Sequence, residues 1–235
     1  MPIKRPPLVT GEIYHIVMRG VEKRVIFPEK EDYFRFIHDL FEFNDENAVG
    51  DAFRKNIPRT VLGKVRTIKE KRRLLVEILT FCLMPNHFHL LLYQLNRNGI
   101  SNFMRKMGGY ATYINKKYRR VGHLYQGRFR AIHIKGNNQL KNVFVYIHTN
   151  PIELIEPEWK EGNIQNLKKT TKLLENYRYS SYLDYIGKKN FPSVINKKLF
   201  REIFPNKNEC RKFTEDWILY KYRARIRELG DVVLE

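Results

Sequence analysis

The stretch Met84-Pro85-Asn86-His87-Phe88-His89-Leu90-Leu91-Leu92 decides how the rest of the chain is read. A β-strand sends successive side chains to opposite faces, so His87 and His89 share one face and Phe88 takes the other. Two imidazoles placed in this way can grip one divalent metal ion. The run before them, Val76-Glu77-Ile78-Leu79-Thr80-Phe81-Cys82-Leu83, is also strand-like, and Pro85-Asn86 reads as the turn of a hairpin between two buried strands. A His-x-His on a strand is equally what two polar residues on a half-exposed sheet face look like. The pair therefore needs support from elsewhere in the chain.

Charge supplies some of it. Among 235 residues, 44 Lys and Arg face 25 Asp and Glu, for a formal charge of +19. Such an excess suits a polyanionic partner, nucleic acid before an anionic membrane surface. No segment carries the long uncharged apolar run of a spanning helix, so no membrane partner is expected. The opening Met-Pro-Ile-Lys-Arg-Pro-Pro lacks the apolar core of a signal peptide, which points to the cytoplasm. Cys82 and Cys210 are then read as free thiols in a reducing compartment.

Working outward from the hairpin, Gly11 to Gly20 reads as a first strand. Its His15 is either a third metal ligand or a hydrogen-bonded core histidine. Arg19, Lys23 and Arg24 surround the next loop, as phosphate contacts or as a solvated turn. A helix follows Pro28, with Tyr33, Phe34, Phe36, Ile37, Leu40 and Phe41 at helical spacing. Residues 45–75 read as an excursion, and the basic run Arg54 to Arg73 within it is either a solvated loop or a DNA-backbone contact.

Beyond the hairpin, Ser101 is a candidate N-cap for a second helix, with Phe103, Met107, Tyr110, Ala111 and Ile114 as its buried stripe. The Gly108-Gly109 pair weakens that helix. From Ser101 to Lys135 there are nine basic residues, Arg105, Lys106, Lys116, Lys117, Arg119, Arg120, Arg128, Arg130 and Lys135, and no acidic one. Tyr110, Tyr113, Tyr118, Tyr125 and Phe129 are interleaved with them, a composition suited to a nucleic-acid surface. A fourth strand follows Gly127. A third helix, about Asn138 to Asn150, ends before Pro151. Tyr146 and Asn150 lie one turn apart on its surface, where a hydroxyl and an amide oxygen can act together as nucleophile and ligand. His148 points elsewhere.

The ordered set Met84-Pro85-Asn86-His87-Phe88-His89, Tyr125-Gln126-Gly127-Arg128-Phe129 and Tyr146-Ile147-His148-Thr149-Asn150-Pro151 resembles the single-tyrosine HUH transposases. It is most similar to the branch called REP-associated tyrosine transposases. Arg19-Gly20 with Val25-Ile26-Phe27, and Tyr177-Arg178-Tyr179-Ser180-Ser181-Tyr182, add to the resemblance, which covers about residues 8–187. It implies an α+β fold, a ferredoxin-like antiparallel sheet with helices on one face, in a catalytic domain at residues 1–190. It also implies a metal-dependent enzyme that cleaves and rejoins single-stranded DNA beside hairpins through a covalent 5′-phosphotyrosine. His87, His89 and Asn150 carry over as ligands to Mg²⁺ or Mn²⁺, and Tyr146 as the nucleophile. The expected setting is the bacterial cytoplasm, associated with the nucleoid, and both monomers and homodimers occur in the family.

Two other function classes remain: a catalytically silent hairpin DNA- or RNA-binding protein on the same fold, and a metal-dependent phosphoesterase that uses water. Residues 191–235 lie outside the resemblance. They read as a helical extension, either for packing or for contact with DNA or a second subunit through Lys221, Arg223, Arg225 and Arg227.

Overall fold

The computed structural model describes residues 6–47 and 72–233, the side chains of 223–233 excepted. Most of the expected 45–75 excursion, with all of its basic run before Arg72, lies outside the described residues. So do the side chains of Arg223, Arg225 and Arg227.

Four strands form one antiparallel sheet: β1 (Ile13–Arg19), β2 (Val76–Met84), β3 (His87–Gln94) and β4 (Arg130–Ile134). Their order is β2-β3-β1-β4, the ferredoxin-like arrangement, and the fold is α+β. The hairpin turns at Pro85-Asn86, so β3 opens on His87. Alternation then sends Phe88, Leu90 and Leu92 into a front core and leaves His87, His89 and Leu91 on the back. β2 is buried along nearly its whole length because both of its faces are covered. A bulge between Ile78 and Thr80 shifts its alternation by one residue. As a result Val76, Ile78, Phe81 and Leu83 all face front, while Leu79, Cys82 and Met84 face back.

The front is covered by α1 (Lys30–Glu42), α2 (Gly99–Met107) and α3 (Gly109–Lys117). Phe36, Phe103 and Tyr110 are fully buried there against Phe88 and its neighbours. α1 starts with a capping box in which Glu29 and Asp32 each accept from the other's backbone N–H. α2 begins earlier than a Ser101 cap would place it, after Asn98 in a left-handed conformation. The break between α2 and α3 falls at Gly108, where the glycine pair stands.

The back is covered as well, which differs from helices on one face. α4 (Asn137–Thr149), α5 (Leu167–Leu174), α6 (Tyr182–Tyr185), α7 (Lys198–Ile203) and the long α8 (Lys207–Val233) follow β4. Phe144 of α4 is fully buried and contacts both Phe200 and Phe204, with ring centroids 4.4 and 5.0 Å away. Cys210 and Ile218 of α8 join the same core. The extension after residue 190 therefore packs on both faces: Phe191, Val194 and Ile195 join the front core, and the side chains from Leu199 on pack onto the back. Cys82 and Cys210 are both buried free thiols.

The segments that carry the sequence motifs meet around the hairpin. Gly20 N–H donates to Asn86 O at 2.8 Å, Ile26 N–H to Pro85 O at 2.7 Å, and Gln126 N–H to Arg19 O at 2.9 Å. Glycine is required at position 20 because a Cβ there would stand 2.3 Å from the Arg24 carbonyl and 2.8 Å from Ile26 Cγ2. On the outer edge of β2, Leu83 N–H donates to Tyr179 O and Ser181 N–H to Phe81 O. The Tyr177–Tyr182 segment thus covers an edge that would otherwise expose unpaired backbone.

Candidate active site

The β1–β3 register sets Arg19 opposite His87, Val17 opposite His89 and His15 opposite Leu91. His15, His87 and His89 are consequently near neighbours on the back face, all buried. The His87 and His89 rings lie 4.9 Å apart and nearly perpendicular. The His15 ring stacks on His89 at 5.1 Å, with His15 Nε2 only 2.9 Å from His89 Nδ1.

Hydrogen bonding defines which atoms are open. His87 Nδ1 lies 2.6 Å from Asn86 Oδ1. An amide oxygen only accepts, so Nδ1 of His87 carries the proton and Nε2 keeps a lone pair. Nε2 of His89 is buried and has no partner among the described residues. Asn150, fully buried, donates from Nδ2 to the Tyr146 carbonyl at 2.7 Å, and its Oδ1 is buried with no partner among the same residues. Buried polar atoms are nearly always paired, so these exceptions call for an explanation. Two imidazole nitrogens and an amide oxygen are suitable donors to a divalent ion. Among the described residues no three His, Cys, Asp or Glu side chains form a metal-binding group, so the fit relies on the amide as third donor.

Burial keeps these rings neutral at physiological pH. It lowers His15 and His87 to about 4 and His89 well below the ordinary histidine value. At His87 the Arg19 and Lys160 charges add to the lowering, while Glu153 opposes it. Neutral imidazoles are the form that binds metal.

Tyr146 comes from α4, half-buried, with its ring edge-on to His89 at 5.6 Å and to His15 at 6.0 Å. The Lys160 ammonium lies 5.8 Å from the Tyr146 ring centroid and 2.7 Å from Glu153 Oε2. The sequence reading missed Lys160 and Glu153. They follow Pro151 in 3-10 turns at Asn150–Leu154 and Trp159–Glu161, which bring them back to α4. The Pro151 helix stop was the only sequence signal for such a return. His148 is turned away, with its Nε2 2.8 Å from Ser181 Oγ in the core.

The basic residues separate into two groups. Arg19, Arg128 and Arg130 line a groove of about 400 Å³ with Gln126 and Gly127, at the end of β1 that pairs with His87. Lys23, Arg24, Arg105, Lys116 and Arg119 are exposed, and Arg24 pairs loosely with Glu22 at 3.4 Å. Lys117 is instead engaged by Asp32 at 2.7 Å and Glu29 at 2.8 Å. Arg120 is half-buried. Lys106 donates to backbone carbonyls of Asp45 and Asn47.

Residues 50–150 match the family model described as IS200-like transposase, a span that contains His87, His89, Tyr146 and Asn150. Over these 101 of 235 residues the chain is similar to IS200-like transposases. A solved structure of a REP-associated tyrosine transposase bound to a REP hairpin shares this chain's fold. The TM-score is 0.51 at 13% identity, covering 83% of this chain and 92% of that one. No curated protein matches the chain. Among the described residues no helix is long and apolar enough to cross a membrane.

Proposed function

We propose that this chain is an IS200-like transposase that cleaves and rejoins single-stranded DNA next to hairpins, with Tyr146 as nucleophile and with His87, His89 and Asn150 holding a divalent ion, Mg²⁺ or Mn²⁺. The observation that carries this reading is the pair of buried atoms without partners among the described residues, His89 Nε2 and Asn150 Oδ1, on two residues that both contact Tyr146, His89 through its ring and Asn150 through the Tyr146 carbonyl. The bound ion would supply Lewis-acid polarisation of the scissile phosphate.

The chain's own groups supply the rest. Tyr146 Oη attacks phosphorus, forming a phosphotyrosine P–O bond as the P–O3′ bond breaks. The phenol loses its proton, and the departing 3′ oxygen gains one and leaves as a hydroxyl. Return attack by a 3′-hydroxyl restores the phosphodiester and the phenol, so no nucleotide cofactor is consumed. A free tyrosine ionises near pH 10, roughly three units above neutrality, so the step needs nearby positive charge. Lys160, beside the ring, supplies such a charge. The groove formed by Arg19, Arg128 and Arg130 suits the phosphates of a strand leading to the site.

The solved structure of similar fold has a REP hairpin bound, which supports a hairpin as the DNA element. The work would be done on nucleoid DNA in the cytoplasm, by a monomer or a homodimer. The proposal is tested by incubating the full chain and Mn²⁺ with end-labelled hairpin oligonucleotides carrying single-stranded flanks. A denaturation-resistant protein–DNA adduct is expected. Tight, salt-sensitive binding without cleavage would instead make the protein a silent hairpin binder, and cleavage without an adduct would make it a water-using phosphoesterase.

A further inference from the structure

We infer that His15 is a positioning residue: it accepts a hydrogen bond from His89 Nδ1–H, and so fixes His89, whose ring lies against Tyr146, in the tautomer that keeps a lone pair on Nε2. This inference rests on the reading above, in which His89 is a metal ligand. The first strand offered His15 as a possible third ligand. The structure gives it a different relation to the site, because its Nε2 is directed at a ring nitrogen of His89 at 2.9 Å.

Two neutral imidazoles in contact share one proton along the line between them, so one ring donates and the other accepts. If His15 donated, His89 would carry its own proton on Nε2, the nitrogen that is buried with no acceptor. With His89 as donor, Nε2 is left as a lone pair. That is the one arrangement in which the unpartnered atom can serve as a ligand. A hydrogen bond from the far nitrogen of a ligating histidine is also the usual device that sets ring orientation and raises ligand basicity.

Register makes the contact. Val17 lies opposite His89 and His15 opposite Leu91, so the two histidines are diagonal neighbours on one sheet face, within reach of each other. The His15 ring also meets the Tyr146 ring edge-on at 6.0 Å. One side chain thereby abuts both the proposed ligand and the proposed nucleophile. His87 uses an analogous device, its Nδ1 donating to Asn86 Oδ1. Both histidines of the pair are then held with Nε2 open.

The test uses the full chain. Nitrogen-15 NMR of the metal-free protein, with the His89 ring assigned, is expected to show Nδ1 protonated and Nε2 as the pyridine-type nitrogen. In His15→Phe, which keeps a ring against Tyr146 but cannot accept, that preference is expected to vanish, and Mn²⁺ affinity by calorimetry to fall by about 10- to 100-fold. His15→Gln, which restores an acceptor oxygen, is expected to recover most of the affinity. A wild-type His89 protonated on Nε2 overturns the inference, and so does a His15→Phe variant that keeps the wild-type tautomer. If the wild-type chain binds no Mn²⁺ and forms no DNA adduct, the functional reading fails, while the NMR result still decides the role of His15.

Discussion

The Asn150 amide nitrogen donates to the Tyr146 carbonyl at 2.7 Å, one helical turn back along α4. Only the NH₂ end of an amide can make that bond, so the end left over is the oxygen, buried and unpaired. The same bond ties the proposed ligand to the residue proposed as nucleophile. Asn150→Ala is expected to weaken Mn²⁺ binding by at least the roughly tenfold that loss of an outer partner costs. Asn150→Asp is expected to bind at least as well as the wild type, since it keeps an oxygen and adds negative charge. Isothermal calorimetry on the two variants checks both. Equal affinity for Asn150→Ala and wild type would remove Asn150 from the ligand set.

Lys160 faces the Tyr146 ring while paired with Glu153. The ammonium is 5.8 Å from the ring centroid, and a charge at about that range from a developing phenolate ring near the surface is worth on the order of 1–2 kcal/mol. Lys160→Met is therefore expected to slow single-turnover cleavage about tenfold. Glu153→Gln, which releases the ammonium from its partner, is expected to leave the rate unchanged or raise it. A slow Glu153→Gln with a normal Lys160→Met would show that the pair acts in the reverse sense.

Asp32 closes the α1 capping box and receives Lys117, Tyr113 and Tyr118. Burial alone would raise its carboxyl, but these hydrogen bonds prevail and hold it below the usual value. A carboxyl depressed in the folded state contributes stability above its unfolded pKa, and loses it as pH falls from about 3.9 through the folded value. Asp32→Asn is expected to cost about 2 to 3 kcal/mol at pH 7. That is less than the loss from breaking a fully buried pair, because Lys117 stays partly exposed. The gap from wild type should close below about pH 3.9. Urea melts across that range measure it.

Arg128 and Arg130 share the groove with Arg19, whereas Lys117 is held by two carboxylates. Removing a phosphate contact on a single strand reduces the salt slope of binding by about 0.7. Arg128→Ala and Arg130→Ala are each expected to show that change. Lys117→Ala is expected to leave the slope alone and lower thermal stability. Fluorescence anisotropy of a labelled hairpin at several salt concentrations separates them.

What could be read from the sequence follows from what is local. The hairpin was legible because Pro85-Asn86 separates two apolar runs and the period of two puts His87 and His89 on one face. Tyr146 and Asn150 were legible as a pair because one helical turn is a local spacing. The His15–His89 contact was not, because it depends on the β1–β3 register, which no local pattern states. The β2 bulge was hidden in a run whose residues are apolar on both faces. The cover on the back of the sheet was only partly legible. The amphipathic helices after residue 196 could be seen, but their target, Phe144 and its neighbours, lies about fifty residues or more earlier in the chain.

The central claim is that the Tyr146 phenol forms the bond to DNA. Full-length wild type and Tyr146→Phe should be incubated with Mn²⁺ and a labelled hairpin oligonucleotide, resolved on a denaturing gel, and any adduct digested and mapped by mass spectrometry. In the wild type a nucleotide is expected on the peptide containing residue 146, and in Tyr146→Phe neither adduct nor cleavage. An adduct or cleavage that persists in Tyr146→Phe, or an adduct that maps to another tyrosine, would contradict that claim.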